Sequence, residues 1–377
     1  MFRFIEAVLI LSGMIIGVGM FGIPFSFVQS GFWLGAIELV ILAVVVLLIH
    51  LLYGEVVLGT DQYHRLPGYA RLYLGRRGVL LAWFSAFFGI VGTLLAYTIV
   101  NGVFLNNIFK GLFIGLNEFW WAIGSMALAG LITLLSAKKE TFLGSFLTIF
   151  EIGLIIFLVI ILTPHVDTAK LVGFNPQHAF FPYGILFFAL SGAVIIPDIV
   201  AIVGKDRSRR ARLAISFGTL IPAIIYFLFA AAVIGVAGSA VSEEAILGLR
   251  PFLGEKVVLI GSLMGFMAVF TSLVALLISF QELLKLDFGL SKKPAWFISV
   301  FVPVIFYALG FQKFIVIISL IGAVAVGIDA ALIIVSHHRM RLARGERASS
   351  FSCLWKSGIF LMIAAGIFYE VYKFFYR

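Results

Sequence analysis

The chain contains 377 residues, of which 62% are hydrophobic and 12% are charged, and its formal net charge is +9. A soluble protein of this length needs far more charge to cover its surface, so the composition excludes a soluble globular protein. The single cysteine also excludes a disulfide framework and a multi-cysteine metal site.

The basic residues predict membrane topology rather than a nucleic-acid partner, because they lie in short connectors between long apolar runs. Runs of 18 or more apolar residues without strand-like alternation favour transmembrane helices over a β-barrel. We therefore predict an all-α polytopic protein, with one transmembrane domain over residues 1–377. Its spans, about eleven in number, are expected near 5–28, 32–59, 79–108, 118–136, 142–163, 181–203, 211–237, 255–285, 294–311, 314–337 and 352–374.

The distribution of Lys and Arg sets the expected orientation in the membrane. With the N-terminus in the cytosol, the cytosolic loops carry twenty of the 27 basic residues and the external loops carry seven. An odd number of spans then places the C-terminus outside. The expected location is the inner or plasma membrane of a cell, where the lipid bilayer is the surrounding partner.

The first span is interrupted by glycines in the run 13–24, Gly-Met-Ile-Ile-Gly-Val-Gly-Met-Phe-Gly-Ile-Pro. With a rise of 1.5 Å per residue, these glycines fall near the middle of a hydrocarbon core about 30 Å thick. Close helix packing is the alternative, and the spacing of Gly13 and Gly17 fits it. The sixth span is interrupted at a matching depth by residues 189–192, followed by Pro197, which favours a transport site over packing.

The two interrupted spans each open one half of the chain. Residues 1–163 hold spans one to five, residues 181–337 hold spans six to ten, and residues 352–374 form an additional helix. Since five is odd, the two halves cross the membrane in opposite directions, as in the inverted repeats of secondary transporters. Interrupted helices at matching positions of such repeats indicate where the substrate binds.

Both interrupted segments resemble a known family. Residues 13–24 resemble the first-span signature of the amino acid/polyamine/organocation transporter superfamily. Residues 182–197, Pro-Tyr-Gly-Ile-Leu-Phe-Phe-Ala-Leu-Ser-Gly-Ala-Val-Ile-Ile-Pro, are similar to span six of its amino acid permease branch, which includes aromatic and hydroxy amino acid permeases. The resemblance implies a LeuT-like fold of five plus five helices, with helices 1 and 6 broken and one helix added at the C-terminus. It also implies that spans one, two, six and seven rock against the rest.

The backbone of a broken helix suits an amino acid zwitterion, whose carboxylate needs donors and whose ammonium needs acceptors. In span one, we place carboxylate-binding N–H groups at residues 17–19, where glycine permits close approach. In span six, the carbonyls of residues 189–191 are expected to accept from the ammonium. The predicted substrate-contacting residues of the two breaks are Gly13, Ile16, Gly17, Val18, Gly19, Ala189, Leu190, Ser191 and Gly192.

Tyr97 in span three is a further candidate for the substrate site. In related transporters, an aromatic or hydroxyl residue of that helix closes over the substrate. A packing or interfacial tyrosine is the alternative, since tyrosines are common in membrane helices.

Glu151 in span five is predicted to couple transport to an ion. The run 147–151, Leu-Thr-Ile-Phe-Glu, resembles a family stretch that often ends in lysine, whose ammonium there takes the place of the second sodium ion. Thr271 and Ser272 in span eight resemble that sodium site, and hard cations prefer such oxygen ligands. Three interpretations stay open: Glu151 carries a proton, Glu151 binds sodium with the two hydroxyls, or Glu151 only bonds a neighbouring helix.

Asp198 is the last candidate coupling residue. It lies two helical turns after Ser191 and therefore shares its helix face. Pairing with a cytosolic basic residue is the alternative to a gating or proton-binding role. Apart from H⁺ or Na⁺ as the coupling ion, the sequence predicts no cofactor and no certain metal site.

The expected function is symport of a neutral amino acid, aromatic or otherwise hydrophobic, by alternating access. Paired aspartates, His/Glu metal spacings and Ser/His/Asp sets are not evident, which argues against an enzyme. The alternatives are a membrane amino acid sensor that does not transport, and a transporter of another small amine or organic substrate.

Overall fold

The structure, a computed structural model, describes residues 2–110, 112–113, 115–135, 141–286, 288–346 and 350–375. Within these ranges the chain forms α-helices joined by short 3₁₀ turns, and no β-strand is present. The helices are α1 Phe2–Ile15, α2 Gly19–Ser30, α3 Phe32–Leu58, α4 Leu66–Ile108, α5 Glu118–Leu135, α6 Thr141–Leu162, α7 Phe181–Ala189, α8 Ile196–Val203, α9 Ser208–Ala237, α10 Arg250–Leu286, α11 Lys292–Ala308, α12 Phe314–Ile321, α13 Gly327–Ala343 and α14 Ser350–Phe375.

The predicted all-helical membrane fold is confirmed. In the described part of the chain, eight helical segments are long and apolar enough to cross a membrane, and the bent pair of α1 and α2 makes a ninth. The two remaining predicted spans, at 142–163 and 294–311, correspond to α6 and α11. The total of eleven spans and the inverted repeat stay predictions.

Helices α4 and α10 begin at least five residues earlier than the apolar pattern predicts. Helix α4 begins at Leu66 instead of about residue 79, and it contains Gly75, whose φ of 69° marks a kink. Helix α10 begins at Arg250 instead of about residue 255, with a similar kink at Gly254, where φ is 76°. Hydropathy finds only the part of a helix that lies in lipid, so the leading turns outside the apolar run escape it.

The predicted interruptions of spans one and six are both present. Helices α1 and α2 meet at an angle of 57° across three residues. After α7, a non-helical segment and the 3₁₀ turn Ala193–Ile195 lead into α8. The helices of predicted spans one and six are therefore both broken.

Span ten contains a wider turn that the sequence did not predict. Between α12 and α13, residues Gly322–Val326 form a π-helix. Such π-turns occur mostly as short bulges, often at functional sites. Gly22 of α2 packs against the side chains of Ile315 and Ile318 in α12, and Gly184 of α7 packs against Ser319. Small residues thus let the broken helices lie close to span ten.

Candidate functional site

The break in span one leaves backbone donors without backbone partners. It covers residues 16–18, between the end of α1 at Ile15 and the start of α2 at Gly19, while Gly13 lies inside α1. Two bonds of 3.2 Å between residues three apart close the first turn of α2. Among the described residues, no backbone carbonyl accepts from the N–H groups of residues 17–19. The start of a helix leaves such N–H groups without backbone acceptors, and tyrosine hydroxyls approach those of Gly17 and Val18.

The break in span six leaves backbone acceptors without backbone partners. Helix α7 ends at Ala189, and the carbonyls of Leu190 and Ser191 accept no backbone hydrogen bond from the described residues. The carbonyl of Gly192 accepts from Ile195 N–H at 3.2 Å and thereby starts the turn into α8. Donors in span one and acceptors in span six are the two groups that a zwitterion requires.

The two breaks lie against each other. A Cβ atom added to Gly19 would be 2.8 Å from the Cα of Ala189, and one added to Gly192 would be 2.7 Å from the side chain of Ile15. Only glycine permits these approaches, because real Cβ atoms essentially never come so close to a neighbour. The structure therefore brings the predicted residues of both breaks into one place, although their role in binding stays a prediction.

Tyr97 of α4 lies beside the break of span one. A Cβ atom added to Gly17 would be 3.0 Å from the Tyr97 hydroxyl oxygen. The same hydroxyl also approaches the backbone of Val18 and the hydroxyl of Ser272. Tyr97 is thus placed between the break and span eight.

Tyr226 of α9 connects the two breaks, and sequence reasoning missed it. Its buried hydroxyl lies 2.7 Å from the carbonyl oxygen of Ile15 and 3.1 Å from that of Ala189. Its proton is donated to one of these carbonyls or shared between them. The partners are 211 and 37 residues away in sequence, and a tyrosine inside an apolar run gives no signal of such contacts.

We predict that Tyr226→Phe destabilises the protein, because the carbonyls of Ile15 and Ala189 lose their buried donor. An unsatisfied buried polar group costs about 1–3 kcal/mol. The measurement is the thermal midpoint of the purified protein in detergent. Tyr183→Phe is the matched control, since the buried Tyr183 hydroxyl has no hydrogen-bond partner among the described residues. An equal midpoint for both variants would contradict the bridging role.

His50 of α3 is a second residue that the sequence did not assign. The Thr219 hydroxyl donates to the carbonyl of Ile215 at 2.8 Å, so it accepts from His50 Nδ1–H at 2.9 Å. The other nitrogen, Nε2, accepts from the N–H of Gly192 at 3.3 Å. These contacts fix a neutral imidazole, which fastens the break of span six to α3 and α9.

Glu151 of α6 meets the predicted hydroxyl pair of α10. Its Oε1 atom lies 3.1 Å from Thr271 Oγ1 and 3.3 Å from Ser272 Oγ. The carboxyl is 6% exposed, and no basic side chain in the described part of the chain forms an ion pair with it. The Ser272 hydroxyl donates to the carboxyl oxygen, and the Thr271 hydroxyl shares its proton between that oxygen and the carbonyls of Met267 and Ala268. The same three side-chain oxygens would suit a hard cation. No group of three or more His, Cys, Asp or Glu residues able to hold a metal occurs among the described residues.

Asp198 lies in the first turn of α8, just after the break of span six. Its Oδ2 atom is 3.2 Å from Arg65, which precedes α4, and both side chains are substantially exposed. This contact supports the pairing alternative, in which Asp198 joins α8 to the connector before α4.

Comparison with known proteins places the chain among transporters. A sequence profile of the tryptophan/tyrosine permease family matches residues 2–334. "Glutamine transporter 2" of Aliivibrio fischeri (strain ATCC 700601 / ES114) is 22% identical over 237 residues, which are 62% of this chain and 61% of that protein.

Solved structures share the fold. The crystal structure of MhsT in complex with L-phenylalanine superposes with a TM-score of 0.66 at 15% identity, and 97% of each chain is covered. Mhp1, a nucleobase-cation-symport-1 family transporter in a closed conformation with bromovinylhydantoin bound, gives a TM-score of 0.66 at 13% identity. That superposition covers 97% of this chain and 90% of Mhp1.

Proposed function

Because the chain belongs to the tryptophan/tyrosine permease family, we propose that it is a secondary transporter that imports an amino acid by alternating access. The paired breaks of spans one and six support this proposal, since they offer donors and acceptors to a zwitterion without any charged side chain. Spans one, two, six and seven would form the moving part, and Tyr226 and His50 hold their contacts together.

The proposed substrate is a neutral amino acid, aromatic or otherwise hydrophobic. The side chains next to the breaks include those of Ile15, Tyr97, Phe188 and Tyr226, which are uncharged, and the neutral imidazole of His50. The family name, the phenylalanine bound to MhsT and the similarity to a glutamine transporter all agree with a neutral amino acid.

One observation mainly supports the proposal: the carboxyl of Glu151 lies near the proposed substrate site. Glu151 contacts Ser272, the Ser272 hydroxyl approaches Tyr97, and Tyr97 lies over Gly17 in the break. Three successive contacts therefore connect the charge of Glu151 to the proposed substrate site. We propose that Glu151 carries a proton, so that the protein is a proton–amino acid symporter, and sodium bound at Glu151, Thr271 and Ser272 is the alternative.

We also propose the orientation that the charge distribution predicts, with the N-terminus in the cytosol and the C-terminus outside the inner or plasma membrane. The connector between α3 and α4 and the one between α8 and α9 would then both be cytosolic. The bond from Lys205 Nζ to the carbonyl of Thr60, at 2.5 Å, joins these connectors, as one common side requires. The ion pair of Arg65 with Asp198 joins the first connector to α8.

Uptake into proteoliposomes tests the function. Purified protein is reconstituted, and labelled tryptophan, tyrosine, phenylalanine, glutamine, lysine and glutamate are offered under a proton gradient and, separately, a sodium gradient. We expect concentrative uptake of a neutral amino acid under the proton gradient and none in liposomes without protein. Uptake driven only by sodium would support the alternative ion. Tight binding of an amino acid without uptake under either gradient would indicate a sensor and overturn the proposal.

A further inference from the structure

A small cavity borders the break of span six, and residues of α3 and α13 line it as well. Its volume of about 10 Å³ is room for about one water molecule. The polar side chains that line it are those of His50, Ser191 and Asp329, and Phe187 and Ile333 are among its apolar walls. Most of the lining is apolar, and an ordered water would use these three polar side chains as its hydrogen-bond partners.

Asp329 is the acidic residue of this cavity and has no role in the site described above. Its Oδ1 atom accepts a hydrogen bond from Ser85 Oγ of α4. No Lys, Arg or His side chain in the described ranges forms an ion pair with it. A carboxyl inside a membrane helix is energetically costly and is by default a functional residue. The π-helix of span ten ends three residues before Asp329, so the helix is locally distorted where it meets the cavity.

Polar groups lead from Asp329 toward the predicted cytosolic side. The hydroxyl of Tyr53 in α3 is buried and has no hydrogen-bond partner among the described residues. Asp329, Tyr69, Arg65 and Asp198 all lie within electrostatic reach of this hydroxyl. The Tyr69 hydroxyl in turn accepts from the backbone N–H of His64, in the connector before α4, at 3.3 Å.

The other ionisable groups around Asp329 are already engaged. On α3, His50 is held neutral by Thr219 and Gly192. On α8 and before α4, Asp198 and Arg65 pair with each other. The neighbouring groups on α4 are the hydroxyls of Ser85 and Tyr69. Asp329 is therefore the group whose charge can change here without breaking an ion pair.

We propose that Asp329 is a second proton-binding site, filled from the cytosolic side through Tyr53, and that its carboxyl faces a water in the cavity. A proton from cytosolic water joins the Tyr53 oxygen as that oxygen releases its own proton toward Asp329. One proton moves, the Asp329 carboxylate becomes a neutral carboxyl, and Tyr53 ends unchanged. Because the cavity borders the break at Ser191, the charge of Asp329 acts on the broken helix.

Infrared spectroscopy of the purified protein tests the site independently of transport. The carboxyl C=O band is followed during a pH titration in the wild type, Asp329→Asn and Glu38→Gln. Glu38 is the matched control, because its carboxyl is also in a membrane helix and its Oε2 atom is buried. We expect a band that titrates with pH, is missing in Asp329→Asn and remains in Glu38→Gln. A spectrum of Asp329→Asn identical to the wild type, or an Asp329 band that does not respond to pH, would overturn the proposal.

The role of Asp329 in transport rests on the proposed function. In proteoliposomes, we expect Asp329→Asn to lose most of the accumulation driven by one pH unit, about tenfold per coupled proton, while exchange between equal substrate pools continues. Asp329→Glu is expected to restore part of the accumulation, and Tyr53→Phe to slow it. Unchanged accumulation in Asp329→Asn would overturn this role. A wild type that takes up no amino acid would refute the proposed function, and the infrared titration would still decide whether Asp329 binds a proton.

Discussion

Glu151→Gln is expected to abolish accumulation against a gradient and to leave substrate exchange intact. Glutamine keeps the size of the side chain and its acceptor for Thr271 and Ser272, but it cannot change its charge. A gradient of one pH unit is worth about 1.4 kcal/mol and supports about tenfold accumulation per coupled proton. The variant should therefore accumulate substrate only to equal concentrations on the two sides.

The measurement compares gradient-driven uptake with counterflow in the same proteoliposomes. Glu38→Gln is the matched control, because it removes another carboxyl from a membrane helix that has no contact with Thr271 or Ser272. Wild-type accumulation by Glu151→Gln under both proton and sodium gradients would show that Glu151 has no part in coupling. Loss of both accumulation and counterflow would point to a structural role, in which Glu151 fastens α6 to α10.

The ion is identified by which gradient the wild type uses. If Glu151 carries a proton, uptake responds to a pH gradient and is indifferent to sodium. If sodium binds between Glu151 and the hydroxyls, Thr271→Val is expected to raise the sodium concentration needed for half-maximal uptake, because one oxygen ligand is removed. Thr271 Oγ1 also lies 3.0 Å from the carbonyl oxygen of Met267. When the hydroxyl is removed, that carbonyl keeps its ordinary backbone partner in the helix.

Gly19→Ala is expected to weaken substrate binding strongly, because the added methyl group lies where the two breaks meet. The new Cβ atom would be 2.8 Å from the Cα of Ala189 and 3.0 Å from the ring of Phe188, so α2 and α7 must move apart. Overpacking of this kind costs about 1–3 kcal/mol, which corresponds to a loss of roughly 5- to 150-fold in affinity if it falls on the bound state.

The dissociation constant of the transported amino acid, measured by calorimetry or scintillation proximity, gives the result. Gly124→Ala is the matched control, because a Cβ atom there meets nothing within 4 Å in the same kind of membrane helix. Gly17→Ala should have an intermediate effect, since its Cβ meets the Tyr97 hydroxyl at 3.0 Å and a side chain yields more easily than backbone. An affinity of Gly19→Ala equal to that of Gly124→Ala would place the substrate elsewhere.

The sequence by itself determined the membrane class, most of the helix ends and the two breaks. These properties are local: a run of about twenty apolar residues favours a membrane helix wherever it occurs, and glycine and proline weaken a helix at the positions they occupy. The predicted spans 32–59, 118–136 and 181–203 accordingly lie within one residue of α3, α5 and the pair α7–α8. The starts of α4 and α10 were misplaced, because their first turns lie outside the apolar runs.

The sequence predicted the residues of the candidate coupling group but not their contacts. A charged residue inside an apolar run is conspicuous, so Glu151 could be selected from the sequence, and the family resemblance paired it with Thr271 and Ser272. The contact itself joins residues 120 and 121 positions apart, and the structure places it at 3.1 and 3.3 Å. Its role in coupling stays a prediction.

Only the tertiary structure decided which polar groups meet across helices. The Tyr226 hydroxyl reaches the carbonyl of Ile15 over 211 residues, and Ser85 reaches Asp329 over 244. Gly19, which the sequence assigned to the substrate site, also packs against Ala189. Such pairings depend on how helices pack, and packing in a membrane is set by shape and by hydrogen bonds between distant segments, which leave no periodic pattern along a chain that is apolar nearly everywhere.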